Sequence, residues 1–123
     1  MRRSMLFVPG NNPKMMTSCG FFGADAIIFD LEDAVSPDEK DAARLLVKYA
    51  VKNVERCRSE IIVRVNAADT PLFAQDLKTI VPQRPDYIML PKTASRQTVR
   101  RRHWRNRALL RDGAGYNQPD RAD

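Results

Sequence analysis

The chain has 123 residues, 43% of them hydrophobic, enough for one modest domain with a core. Its net charge of +6 is unevenly spread: residues 1–94 carry 13 Lys/Arg and 12 Asp/Glu, whereas residues 95–123 carry 8 Arg and 3 Asp, so the basic excess belongs to the tail and implies only nonspecific contact with nucleic acid. No window has the apolar length of a membrane span, the start Met1-Arg2-Arg3 lacks a signal-peptide core, and Cys19 and Cys57 are too few for a disulfide framework, so we expect a cytoplasmic protein with reduced thiols and no membrane partner.

Ser4-Met5-Leu6-Phe7-Val8 reads as the first strand, stopped by Pro9-Gly10. Asn12 is placed to cap a short helix with Pro13 at its first position, running to about Gly20. Ile27-Ile28-Phe29 opens the second strand, which passes into the acids Asp30, Glu32 and Asp33. Ser36-Pro37-Asp38-Glu39 has the form of a capping box, and the helix after it, roughly 37–54, sets Ala43, Leu46, Val47, Ala50 and Val54 on one stripe, with Lys40, Asp41, Lys48 and Lys52 left for solvent.

Residues 60–66 form a third, nearly continuous apolar strand that carries Arg64. Thr70-Pro71 opens a third helix with Phe73, Leu77, Ile80 and Val81 on one side, and residues 86–90 form a fourth strand ending in Pro91-Lys92-Thr93. Strands alternating with helices at this spacing mean βαβ units and a parallel sheet. Four strands suit an open sheet or the first half of a (β/α)8 barrel, which needs about 250 residues when complete. After Thr93 the pattern breaks: Arg100 to Arg107 is dense in arginine, residues 113–120 read as loop, and no fifth strand is legible.

The strand ends form four motifs in order: Arg2-Arg3-Ser4-Met5-Leu6-Phe7-Val8-Pro9-Gly10-Asn11, Phe29-Asp30-Leu31-Glu32-Asp33-Ala34-Val35, Val63-Arg64-Val65-Asn66 and Leu90-Pro91-Lys92-Thr93. Together they closely resemble the citrate lyase β / HpcH–HpaI aldolase superfamily, with its malyl-CoA lyase-like relatives. The resemblance covers residues 2 to about 94. It implies a TIM barrel, of which residues 1–94 would be the first four β/α units, and an unrelated, irregular basic tail over 95–123.

The resemblance further implies a carbon–carbon lyase that cleaves a citryl thioester, linked to an acyl-carrier protein or to CoA, into oxaloacetate and an acetyl thioester with Mg2+. Partner lyase subunits and a homo-oligomer are implied for the family. Arg64 matches the substrate-binding arginine, whose planar fork suits a carboxylate. Phe7 and Lys14 match substrate- or CoA-binding positions in the first loop, and Glu32 and Asp33 match the acidic motif that supports the metal's ligands or waters. The metal ligands themselves would follow a fifth and a sixth strand, so the resemblance implies no metal ligand and no catalytic residue in this chain. An incomplete and inactive fragment is therefore expected, with a malyl-CoA lyase- or thioesterase-like activity, or no activity, as the alternatives.

One origin of the tail is a reading-frame change: His103-Trp104-Arg105, written CAY-TGG-CGN and read two bases on, begins Leu-Ala, as a fourth barrel helix would. Translation of the gene in all frames tests this, and the lack of a Glu-bearing fifth strand in the other frames would remove it.

Plain alternatives stand beside each candidate. Arg64 could close an ion pair within the fold, with Asp30 or Glu32; the three acids could be a solvated helix entry; Lys14 could be an ordinary surface lysine; Lys92 could line the mouth or cover a helix. His103 has no partner in any motif, and the sequence contains no glycine-rich phosphate loop, zinc spacing or nucleophile elbow.

Overall fold

Apolar runs of Ile, Val and Phe become the strands of one sheet in the computed structural model, which describes residues 3–91. The strands are β1 (Met5–Pro9), β2 (Ala26–Asp30), β3 (Glu60–Arg64) and β4 (Tyr87–Met89). They lie in the order β1-β2-β3-β4, and every neighbouring pair is parallel. Parallel neighbours require crossovers, and three helices supply them: α1 (Pro13–Ser18), α2 (Lys40–Asn53) and α3 (Leu72–Ile80). Short 3-10 turns lead into or continue each helix, at Cys19–Phe22, Pro37–Glu39 and Val81–Gln83.

Strand side chains alternate between the two faces of a sheet, and here the faces differ. Val8, Ile27, Phe29, Ile61 and Val63 pack with Met16 of α1, Val47 of α2 and Phe73 and Leu77 of α3 in the main core. All three helices therefore cover one face. The other face holds a small separate cluster, Ala26, Ile28 and Ile62, with Met89 against it. This is the layout of the opening units of a (β/α)8 barrel, helices outside and a second layer of strand side chains inside.

Acids staple the strand starts. Asp25 accepts the backbone N–H groups of Arg3 and Ser4 at 2.7 and 3.1 Å, and its carboxyl lies below the usual range because of those two bonds. Asp86 accepts the Ile61 N–H at 2.7 Å and pairs with Arg56.

Several local details differ from the sequence reading. Strand β2 stops at Asp30, and residues 31–35 turn away. Asn12 caps α1 as expected, accepting the Met15 N–H at 3.1 Å. The capping box does not form: Ser36 Oγ donates to Glu39 Oε2 at 3.1 Å, and Asn11 Nδ2 donates to the same oxygen at 2.6 Å, so Glu39 is spent on side chains rather than on a helix N–H. On α2 the buried residues are Ala43, Arg44, Val47 and Val51, while Leu46, Ala50 and Val54 are half-buried at its margin. Lys40 does not face solvent; it folds back onto the loop after β2. Lys92 and the whole Arg-rich tail lie outside the described residues.

Candidate active site

The C-terminal ends of parallel strands carry the sites of α/β folds because the connecting loops gather there. At that rim Asp30 ends β2 and Arg64 ends β3, and the two are register partners. Each lies two residues beyond a member of the inner cluster, Ile28 and Ile62, so both share that face by strand alternation.

Asp30 is 1% exposed and accepts four hydrogen bonds. Its Oδ1 takes the Glu32 N–H at 2.8 Å and Arg64 Nε at 2.9 Å; its Oδ2 takes the Ala34 N–H at 3.1 Å and Arg64 Nη2 at 2.5 Å. Burial pushes the Asp30 carboxyl up, but the bonds from Arg64 and from the Glu32 and Ala34 amides together outweigh it and hold the group below the usual carboxylate range. Its hydrogen bonds to Asp30, with the charges of Asp30, Glu32 and Asp33, raise Arg64 above the ordinary arginine value against its own desolvation.

Three further groups define the surroundings of Arg64. The Phe7 ring lies over the guanidinium, with its centroid 5.1 Å from Cζ, an arrangement favoured by the ring quadrupole. Glu32, also buried, brings Oε1 to 3.9 Å from Arg64 Nε. Lys40 Nζ donates to the carbonyls of Leu31 and Glu32 at 2.8 and 2.5 Å and so ties the acidic loop down from α2. Burial lowers the Lys40 ammonium below the usual lysine value, against the opposing pull of Asp30, Asp76, Glu32 and Asp33.

Gly10 lets β1's loop approach this corner. Its N–H donates to the Asp30 carbonyl at 2.8 Å, and a Cβ there would lie 2.7 Å from that oxygen.

Of the residues singled out by sequence, Phe7, Glu32 and Arg64 come together. Asp33 sits on the same loop, exposed. Lys14 lies exposed in the first turn of α1, and no hydrogen bond or ion pair among the described residues ties its side chain to the Arg64 group. Arg64 makes the ion pair that was its plain alternative, and makes it with Asp30 rather than primarily with Glu32.

A second charged group under the rim escaped the sequence reading. Asp76 of α3, 1% exposed, accepts Arg44 Nε at 2.8 Å, the Asn66 N–H at 2.9 Å and Asn66 Nδ2 at 2.6 Å. It fixes the loop that begins just after Arg64. The signal was present: Asp76 falls on the stripe Phe73, Leu77, Ile80, and a charge on an apolar stripe needs a buried partner.

Among the described residues no group of three His, Cys, Asp or Glu side chains gathers as a metal centre. Glu32 and Asp33 alone do not make one. No helix among the described residues is long and apolar enough to cross a membrane.

The HpcH/HpaI aldolase/citrate lyase family model matches residues 3–105. The citrate lyase subunit beta of Leuconostoc mesenteroides subsp. cremoris is 54% identical over 92 residues, which is 75% of this chain and 30% of that protein. A (3S)-malyl-CoA thioesterase of Cereibacter sphaeroides is 41% identical over 92 residues, 75% of this chain and 32% of that protein. A citrate lyase beta subunit from M. tuberculosis, solved with oxaloacetate and magnesium, superposes with a TM-score of 0.61 at 32% identity, over 79% of this chain and 41% of that one. The chain thus spans about a third of the length of the curated relatives it matches. With its rim motifs on the strand ends of an opening barrel sheet, and with a family match over most of its residues, this chain belongs to the HpcH/HpaI aldolase/citrate lyase family.

Proposed function

We propose that residues 3–91 supply the carboxylate-binding part of a carbon–carbon lyase centre of the citrate lyase β type, acting on a citryl thioester carried by an acyl-carrier protein or by CoA and yielding oxaloacetate and an acetyl thioester. The observation that carries this reading is the Arg64 guanidinium at the C-terminal rim, braced by Asp30 and covered by Phe7 beside an acidic loop. A planar fork held in one orientation suits a carboxylate of the oxo acid, because two parallel N–H donors match its two oxygens. Phe7 shields one side of the fork, and Lys14, exposed in the first turn of α1, meets phosphate on the thioester carrier as a point charge in this reading.

Magnesium accompanies oxaloacetate in the structure from M. tuberculosis. In this reading Mg2+ supplies charge stabilisation at the oxo acid when bound, and its ligands lie outside the described residues. Glu32 and Asp33 then act from behind, orienting those ligands or their waters. The assembly includes other lyase subunits or further copies of the chain. Two free cysteines, Cys19 and Cys57, accord with a cytoplasmic setting.

The 41% identity to a malyl-CoA thioesterase favours a second reading, in which the same clamp serves a malyl thioester. A chimera decides between them. Residues 3–94 replace the matching segment of the Leuconostoc subunit, and the product is assayed with Mg2+ on citryl-CoA and malyl-CoA. Cleavage of citryl-CoA, lost on Arg64→Ala, is the expected result. Turnover of malyl-CoA alone selects the second reading, and a folded chimera inactive on both sinks the lyase assignment.

A further inference from the structure

Among the described residues Arg64 makes hydrogen bonds through Nε and Nη2, and both go to one carboxylate. That carboxylate is almost wholly buried, ends the neighbouring strand, and is itself held by two backbone amides. Arg64 retains 21% side-chain exposure. Nη1 and the second Nη2 hydrogen, the end of the fork, have no acceptor among the described residues and are left for a ligand, while Phe7 covers one face of the guanidinium.

We propose that Asp30 is the positioning residue of this site: by holding the Nε–Nη2 edge of Arg64 it dedicates the Nη1–Nη2 end to a single planar carboxylate, and with the same two oxygens it fixes the Glu32–Ala34 loop relative to that end. The inference rests on the reading of Arg64 as the carboxylate clamp and specifies how the clamp is set. One carboxylate links the binding arginine to the acidic loop, so the two cannot drift independently.

Charge and position make opposite demands here. Asp30 is an anion beside the place where an anionic ligand binds, so by Coulomb's law alone its neutralisation would tighten anion binding. As a positioning residue its neutralisation weakens binding, because an amide offers one acceptor where the guanidinium needs two and turns its own N–H2 toward other donors. The sign of the effect separates the two roles.

The test uses the full 123-residue chain, labelled with 15N-arginine, with malonate as the probe. In the wild type the Arg64 Nη groups are expected as separate NMR signals, because two hydrogen bonds stop rotation about Nε–Cζ, and malonate is expected to shift them. In Asp30→Asn the Nη signals should merge while the strand amide signals stay in place, and malonate affinity should fall roughly tenfold, the scale of one charge-assisted hydrogen bond. Asp30→Glu, which keeps the charge but moves it by one methylene, should weaken malonate binding as well, and serves where the Asn variant does not fold. Unchanged or tighter malonate binding in either folded variant overturns the proposal, as do averaged Nη signals in the wild type. Separate Nη signals in a wild type that does not respond to malonate remove the clamp reading itself, an outcome distinct from failure of the lock.

Discussion

Arg64 and Asp30 are register partners on adjacent parallel strands, and they close a two-point ion pair, Nε to Oδ1 at 2.9 Å and Nη2 to Oδ2 at 2.5 Å, at the rim where the loops gather. The pair ties the third strand to the second strand and to the acidic loop that follows it, whose amides complete the Asp30 shell. A buried ion pair need not stabilise a fold relative to apolar packing; this one sets the orientation of the guanidinium.

Acid should unfold the chain partly through this pair. Asp30 titrates below the ordinary carboxylate value in the folded chain. As pH falls below about 4, the unfolded chain takes up a proton that the folded chain still refuses, and stability drops. Asp25, also lowered, adds to the same trend. Denaturant midpoints measured from pH 6 down to pH 3 should decrease, and Asp30→Asn should show a shallower decline than the wild type; parallel curves would exclude Asp30 as a source.

Arg64→Ala leaves the nearly buried Asp30 carboxylate without its two charged donors. Part of the loss is tempered by the partial exposure of Arg64, so we expect about 2 kcal/mol of destabilisation with the fold retained. Phe7→Ala, at a side chain 46% exposed, removes chiefly the ring contact and should cost about 1 kcal/mol or less. Urea unfolding of both variants checks the order; a larger loss for Phe7→Ala would mean that the ring is part of the core.

Gly20 and Gly23 separate close approach from backbone freedom. A Cβ on Gly20 would lie 1.8 Å from the Glu55 carbonyl oxygen, so Gly20→Ala must move backbone and should cost about 3 kcal/mol, the upper part of the overpacking range. Gly23 has φ +72° with open space where a Cβ would go, so Gly23→Ala pays only the left-handed penalty, about 1 kcal/mol. Thermal melts of the two variants, with Gly20→Ala the lower, would bear this out; the reverse order would contradict the packing.

Lys40 holds the acidic loop through two carbonyls. Lys40→Met keeps the length of the side chain and removes the donors. Amide hydrogen exchange at Ala34 and Val35 should then quicken severalfold while strand amides such as Phe29 stay protected, since loosening is confined to the loop. Uniform acceleration across the sheet would point instead to a global loss of stability.

The βαβ grammar was legible along the chain because it is local. Apolar runs bounded by Pro and Gly, and stripes at helical spacing, name strands and helices wherever they occur, and a parallel sheet follows from their alternation. Phe7, Glu32 and Arg64 could be chosen as site residues because the motifs that carry them resemble those of the family, and Arg64 also because a charge closes an otherwise apolar strand. Their meeting could not be read in the same way. That Asp30 rather than Glu32 grips Arg64 depends on which residues share register across β2 and β3 and on which face each strand presents, and a one-residue slip would turn Arg64 to the helix side. Lys40 looked like a solvent lysine because helical position says nothing of carbonyls in a loop eight and nine residues away. Arg44, Asp76 and Asn66 find one another only when α2 and α3 pack side by side beneath the rim. Local pattern decides which elements exist, whereas partners for buried charge are decided by distance in space, which only the packed sheet and its helices define.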